Sequence, residues 1–182
     1  MDKIQVLLVS HQSLFRQGIE YSLSGVEDVE ILRSIEASDE VLSGIDTLPP
    51  DVALVDVDAS SNGGLKLARK IKQRSPSIGV VLLTSNLDDA QLFQALKVEA
   101  AACLSKEITA DELLDTIRRV ARGEHPINEN LATRPKLAEQ VLQQFQELSR
   151  RSEAEAIIAP LTRRETEILS YIEEEGVEGS WS

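Results

Sequence analysis

From Ile4 to about Arg122 the chain alternates short β-branched apolar runs with segments of helical periodicity, and the alternation repeats five times. Continuous apolar runs bounded by polar turns mark strands buried on both faces, as a parallel sheet covered by helices requires. The pattern therefore predicts an α/β domain with a five-stranded, parallel, doubly wound sheet. The predicted strands are Ile4–Val9, Val29–Ile35, Val52–Val57, Gly79–Thr84 and Ala102–Ser105. Between and after them, Ser13–Ser24, Asp39–Ile45, Gly64–Gln73, Asp88–Val98 and Asp111–Arg122 carry helical spacing. Thr109 followed by Glu112 is a capping box that opens the fifth helix, whose face is Leu113, Leu114, Ile117, Val120 and Ala121.

After Gly123 the pattern changes to HPINENLATRPKLAEQVLQQFQELSRRSEAEAIIAP, rich in Gln, Glu and Ala. It predicts a helical linker over 124–160, with a connector helix from about Pro135 to Glu155 and Pro160 as its stop. Leu137, Val141, Phe145 and Leu148 form one stripe of that helix, to be buried against the α/β domain or against a second copy. The next segment, LTRRETEILSYIEEEG at 161–176, opens with Thr162 capping toward Glu165 and continues through Ile168, Leu169 and Ile172. A single helix of this length cannot be a domain. Gly179-Ser180-Trp181-Ser182 reads as vector linker entering an affinity tag, so 177–182 are set aside and an engineered truncation is expected.

At 182 residues and 42% hydrophobic composition, the chain has enough apolar material for one core and an appendage. No apolar run is long enough to cross a bilayer, and the start MDKIQVLLVS lacks a signal-peptide cleavage pattern, so a soluble, cytoplasmic protein without membrane contact is expected. The single cysteine, Cys103, excludes an intrachain disulfide framework and cannot build a cysteine-based zinc site alone. A net charge of −12 speaks against this chain gripping a nucleic-acid backbone by itself. The Arg150, Arg151, Arg163 and Arg164 positions are interleaved with Glu153, Glu155 and Glu165, which describes a solvated face rather than a basic patch.

In an open parallel sheet, chemistry gathers beyond the carboxyl ends of the strands. The residues found there are Ser10, His11, Asp56, Asp58, Thr84 and Lys106. With these in place the chain resembles LuxR/NarL-type response regulators along nearly its whole length, through VLLVSHQSLFRQGI, PDVALVDVDASSNGGLKLARKI, VVLLTSN, ACLSKEITADELLDTIRRVARGE and LTRRETEIL. The resemblance implies a flavodoxin-like receiver domain over 1–123 and identifies 161–176 with the first helix of a helix-turn-helix DNA-binding domain. It assigns Asp56 to the phospho-acceptor position, Thr84 to the hydroxyl switch and Lys106 to the lysine of that family.

Two departures change what the resemblance implies. Where the family ends its first strand in two adjacent acids, this chain has Ser10-His11. Mg²⁺ is a hard cation that needs oxygen ligands; a serine hydroxyl is a poor replacement for a carboxylate, and histidine prefers softer metals. Asp56 and Asp58 alone do not rebuild a three-sided cage, so no metal, no cofactor and no enzymatic activity are expected. Cys103 stands where the family carries the aromatic switch, which puts the usual relay to the output in doubt. The loop Ala59-Ser60-Ser61-Asn62-Gly63-Gly64 lacks the family's proline and is expected to be more flexible.

Asp56 thus reads either as a residual phospho-acceptor or as a structural carboxylate paired with Lys106. His11 is either a titrating cation beside Asp56 or a space-filling imidazole, and Cys103 either a redox sensor or a small buried apolar residue. The implied function is a transcription regulator controlled without Mg²⁺-dependent aspartyl phosphorylation, forming a homodimer and meeting promoter DNA through residues beyond this chain. The competing readings are a stand-alone dimerisation or protein-docking module, with a protein partner on the connector helix, and a weakly phosphorylatable conventional response regulator.

Overall fold

The computed structural model of the chain describes residues 3–58 and 63–154, the last six of these as backbone only. Five parallel strands, β1 (Ile4–Val9), β2 (Val29–Ile35), β3 (Val52–Asp56), β4 (Gly79–Thr84) and β5 (Ala102–Ser105), lie in the order β2-β1-β3-β4-β5. The helices α1 (Ser13–Leu23), α2 (Glu40–Thr47), α3 (Gly63–Arg74), α4 (Asp89–Lys97) and α5 (Ala110–Ala121) alternate with them. All five predicted strands are present; only the third ends one residue early, and Val57 still donates its N–H to the Leu83 carbonyl at 3.0 Å. Every residue of β3 is buried, as its unbroken apolar run demands of a central strand. Val6, Leu8, Leu54, Val81 and Leu83 from the sheet join Ile19, Leu23, Leu113 and Ile117 from α1 and α5 in one core cluster.

Helix ends are fixed by local chemistry. The capping box of α5 forms as its sequence predicts: Thr109 Oγ1 accepts from the Glu112 N–H at 3.2 Å, and the Glu112 carboxylate accepts from the Thr109 N–H at 3.3 Å. At its other end Gly123 adopts φ +90°, donating to the Val120 carbonyl while Glu124 donates to that of Arg119. This is the paired C-terminal closure that favours glycine. Helix α4 closes in the same way through Glu99 at φ 62°, where the side chain makes the left-handed conformation costly. At Gly64 a Cβ would run into the Asp56 carbonyl oxygen and lie 3.0 Å from Val57 Cα, so only glycine lets α3 start this close to the end of β3.

A second compact unit begins at Ile127, four residues beyond the predicted end of the α/β domain at 123. It holds α6 (Ile127–Ala132), which the sequence pattern did not predict, and α7 (Pro135–Ala154), the predicted connector helix. The two pack against each other. Of the predicted stripe, Leu137 and Val141 are buried, Phe145 is half-buried and Leu148 is 41% exposed. Within this one chain the stripe is thus buried over its first half, at Leu137 and Val141. A six-residue helix spans about 9 Å and a twenty-residue helix about 30 Å, so α6 is too short to cover α7 to its end. The expectations for the flexible positions 59–62, Pro160, the 161–176 helix and residues 177–182 lie outside the described residues. Among the described residues no helix is long and apolar enough to cross a membrane.

Candidate functional site

The carboxyl ends of β1, β3, β4 and β5 bring four of the predicted side chains to one point. Ser10 follows β1, Asp56 ends β3, Thr84 ends β4 and Lys106 follows β5, whose N–H donates to the Thr84 carbonyl at 2.9 Å. Ser10, Asp56 and Thr84 are buried polar residues, which requires that their polar atoms be partnered. They are. Ser10 Oγ donates to Asp56 Oδ2 at 2.6 Å and accepts from the Gln12 N–H at 3.1 Å. Asp56 Oδ1 accepts from the Asp58 N–H at 2.9 Å.

Lys106 is the centre of this arrangement. Its Nζ lies 2.8 Å from Asp56 Oδ2, 2.8 Å from Asp58 Oδ2 and 2.8 Å from Gln12 Oε1. An ammonium has three donors, and three acceptors surround this one. The Phe15 ring closes the site, its centroid 4.6 Å from Nζ. Asp58 stands two residues past Asp56, just beyond the end of β3, where its N–H closes a turn onto Asp56 Oδ1. Its carboxylate accepts the Ser85 N–H through both oxygens, at 3.1 and 2.9 Å. The Thr84 hydroxyl, shared with the Asn86 carbonyl, reaches Asp58 Oδ1 at 3.3 Å. Partial burial alone would raise the Asp58 pKa, but hydrogen bonds from Lys106 and Ser85 outweigh it and hold the carboxyl below 3.8.

The remaining predicted positions fall outside this network. His11 is exposed and is not among the hydrogen-bond donors to Asp56; Lys106 supplies the local positive charge that His11 was a candidate to provide. Cys103 is buried, and burial first and the Asp58 charge second push its thiol up to about 12. The exposed, low-pKa thiolate that redox sensing needs is absent at this residue. Gln12, Phe15 and Ser85 belong to the network and were not picked out by sequence reasoning. Gln12 and Phe15 lie in a loop and a helix whose approach to Lys106 depends on the fold, and Ser85 contributes only a backbone N–H, which no side-chain pattern reveals.

The donor set does not fit Mg²⁺. A divalent cation between Asp56 and Asp58 would sit beside the ammonium already 2.8 Å from both, and Ser10 turns its proton, not a free lone pair, toward Asp56. What the site does supply is a charge-neutralising clamp that ties four strand ends together.

Comparison with known proteins agrees with the fold. The chain is 26% identical over 183 aligned residues to the transcriptional regulatory protein DegU of Brevibacillus brevis, covering 94% of this chain and 75% of that protein. It is 28% identical to the uncharacterized transcriptional regulatory protein YxjL of Bacillus subtilis, covering 94% and 76% respectively. The signal receiver domain of NarL from Mycobacterium tuberculosis superposes with a TM-score of 0.63 at 27% identity, covering 68% of this chain and all of that domain. Residues 6–118 match the response regulator receiver domain, and the chain belongs to that family.

Proposed function

We propose that this receiver acts in a transcription regulator of the LuxR/NarL type and is controlled without Mg²⁺-dependent phosphorylation of Asp56. The observation that carries the proposal is at the end of β1, where Ser10 and His11 stand in place of an acid pair and Ser10 Oγ donates to Asp56 Oδ2 at 2.6 Å instead of offering a carboxylate to a cation. An attacking Asp56 oxygen would also have to give up the Ser10 hydroxyl and the Lys106 ammonium that now hold it. The neutralisation that metal ions provide in phosphoryl transfer is thereby spent on the protein's own charges. Signal input then comes through a partner protein or a second copy, and promoter contact through residues beyond this chain, in a helix-turn-helix whose first helix the segment 161–176 resembles. The protein works in the cytoplasm as a homodimer, with the receiver over 1–123 and 124–160 as its helical linker.

The test is intact-mass analysis after incubation with Mg²⁺ and acetyl phosphate. No phosphate adduct is expected, whereas a stoichiometric adduct lost in an Asp56→Asn variant would overturn the proposal.

A further inference from the structure

Asp58, partly buried just beyond the end of β3, has more partners than charge balance with one lysine requires. Four donor contacts converge on it: the Lys106 ammonium at 2.8 Å, the Ser85 N–H on both oxygens at 3.1 and 2.9 Å, and the shared Thr84 hydroxyl at 3.3 Å. These donors come from the ends of β4 and β5 and face the space beside Asp56, because Lys106 touches Asp56 Oδ2 and Asp58 Oδ2 at once. Any group attached to an Asp56 oxygen would enter that space. A phosphoryl group carries three acceptor oxygens and seeks charge-assisted donors of this kind. The donors within reach are already held by Asp58.

We infer that the Asp58 carboxylate is a permanent internal stand-in for a phosphoryl group on Asp56, drawing Lys106, Thr84 and Ser85 together without any covalent modification. The inference rests on the reading that Asp56 is not phosphorylated, and it goes further by naming the group that replaces the phosphate. Asp58 takes the Ser85 N–H through both oxygens and meets the Thr84 hydroxyl that also binds the Asn86 backbone, so its carboxylate helps hold the start of the β4–α4 loop. The loop leads directly into α4, whose cap Asp88 accepts from the Gln91 N–H at 2.8 Å and from the Asn86 side chain at 3.1 Å. Asp58 is therefore a positioning residue for the β4–α4 surface.

The experiment is residue-resolved amide hydrogen exchange on the whole 182-residue chain, comparing wild type with Asp58→Ala and Asp58→Asn. Losing the hydrogen bond to Asp58 is expected to speed exchange of the Ser85 N–H by about tenfold, the scale of one such bond, while β1 and β3 amides keep their rates. The second arm adds excess orthophosphate. In Asp58→Ala the emptied space still faces Lys106, Ser85 and Thr84, so free phosphate is expected to slow Ser85 exchange back toward the wild-type rate. Wild type is expected to show no such response. If Asp58→Ala does not fold, Asp58→Asn carries the first arm, since it keeps size and loses charge. Unchanged Ser85 exchange in both variants would overturn the inference, as would faster exchange that phosphate does not slow, which describes a merely structural carboxylate. Neither result depends on whether acetyl phosphate labels Asp56, so this inference and the reading beneath it fail separately.

Discussion

The two ends of the sheet each hold an ion pair bridging distant parts of the chain, and the pairs are built on opposite terms. At the carboxyl end, Lys106 meets Asp56 and Asp58 with side-chain exposures of 12%, 0% and 20%. At the amino end, Asp28 just before β2 meets Arg118 of α5 through a two-pronged contact at 2.8 and 2.9 Å, with exposures of 50% and 40% respectively. The exposed pair has the better intrinsic geometry, since a guanidinium fork matches a carboxylate. The buried set has the greater consequence, because water cannot replace a partner that is removed. Contact geometry alone thus ranks the two ends wrongly, and burial reverses the order.

The widest separation between them is expected from Lys106→Met. This change leaves the Asp56 and Asp58 carboxylates buried or half-buried without their shared cation, and should cost roughly 3–5 kcal/mol. Urea denaturation near neutral pH would read it as a lower midpoint with an unchanged slope. A loss under about 1 kcal/mol would mean that the pocket is wetter than its burial states. The variant should also be less able to hold Asp58 ionised.

Ser10→Ala is the next step down. It removes one short hydrogen bond to a fully buried carboxylate but leaves the ammonium, so a loss of about 1–3 kcal/mol is expected by the same measurement. A neutral result would show that a water replaces the hydroxyl. That would dissolve the contrast with the exposed end.

The acid limb separates the ends by titration. Asp58 has its pKa lowered below 3.8 by Lys106 and Ser85 against the opposing effect of burial. A lowered carboxylate contributes stability that is present above its unfolded pKa and is lost as pH falls through the folded one. The Asp58 contribution should therefore be present above the ordinary carboxylate range and be lost as pH falls through its lowered folded pKa. Carboxyl-carbon NMR should place its midpoint under 3.8 in wild type and higher in Lys106→Met. An Asp58 midpoint that ignores the lysine would contradict the clamp.

How much of this the sequence disclosed follows from where the information sits. The central strands β3 and β4 were legible almost to the residue because a strand buried on both faces favours an unbroken apolar run, and the edge strand β2 was legible from its β-branched residues despite Glu30 and Arg33. Helix α6 was not, since INENLA is six residues long and its apolar repeat is a single pair, Ile127 and Leu131, too short to define a period. Asp56, Asp58, Thr84 and Lys106 were legible as positions at strand ends, but their bonding was not. The absence of the acid pair drew attention to what was lost, while Asp58 looked like a remnant. Its spacing from Asp56 was the available signal: an Asp side chain readily accepts the backbone N–H two residues on, and that turn sets the second carboxylate where a single lysine meets both. Gln12, Phe15 and the Ser85 backbone could be found only from the fold.

The smallest effect is expected at the amino end. Asp28 has its carboxyl lowered chiefly by its hydrogen bonds to Arg118, and the guanidinium is raised in turn by Asp28, so each group senses the other. That mutual shift does not translate into comparable stability, because both side chains are half in water and a displaced partner is replaced by solvent and salt. Arg118→Ala should lower the urea midpoint less than Ser10→Ala does at low ionic strength, and the difference from wild type should shrink further in high salt. The Lys106→Met deficit, by contrast, should change little with salt, since ions do not reach a carboxylate whose side chain is fully buried. If Arg118→Ala proved as damaging as Ser10→Ala and equally indifferent to salt, burial would no longer account for the difference between the two ends. The guanidinium's closer fit to its carboxylate would then be the stronger term.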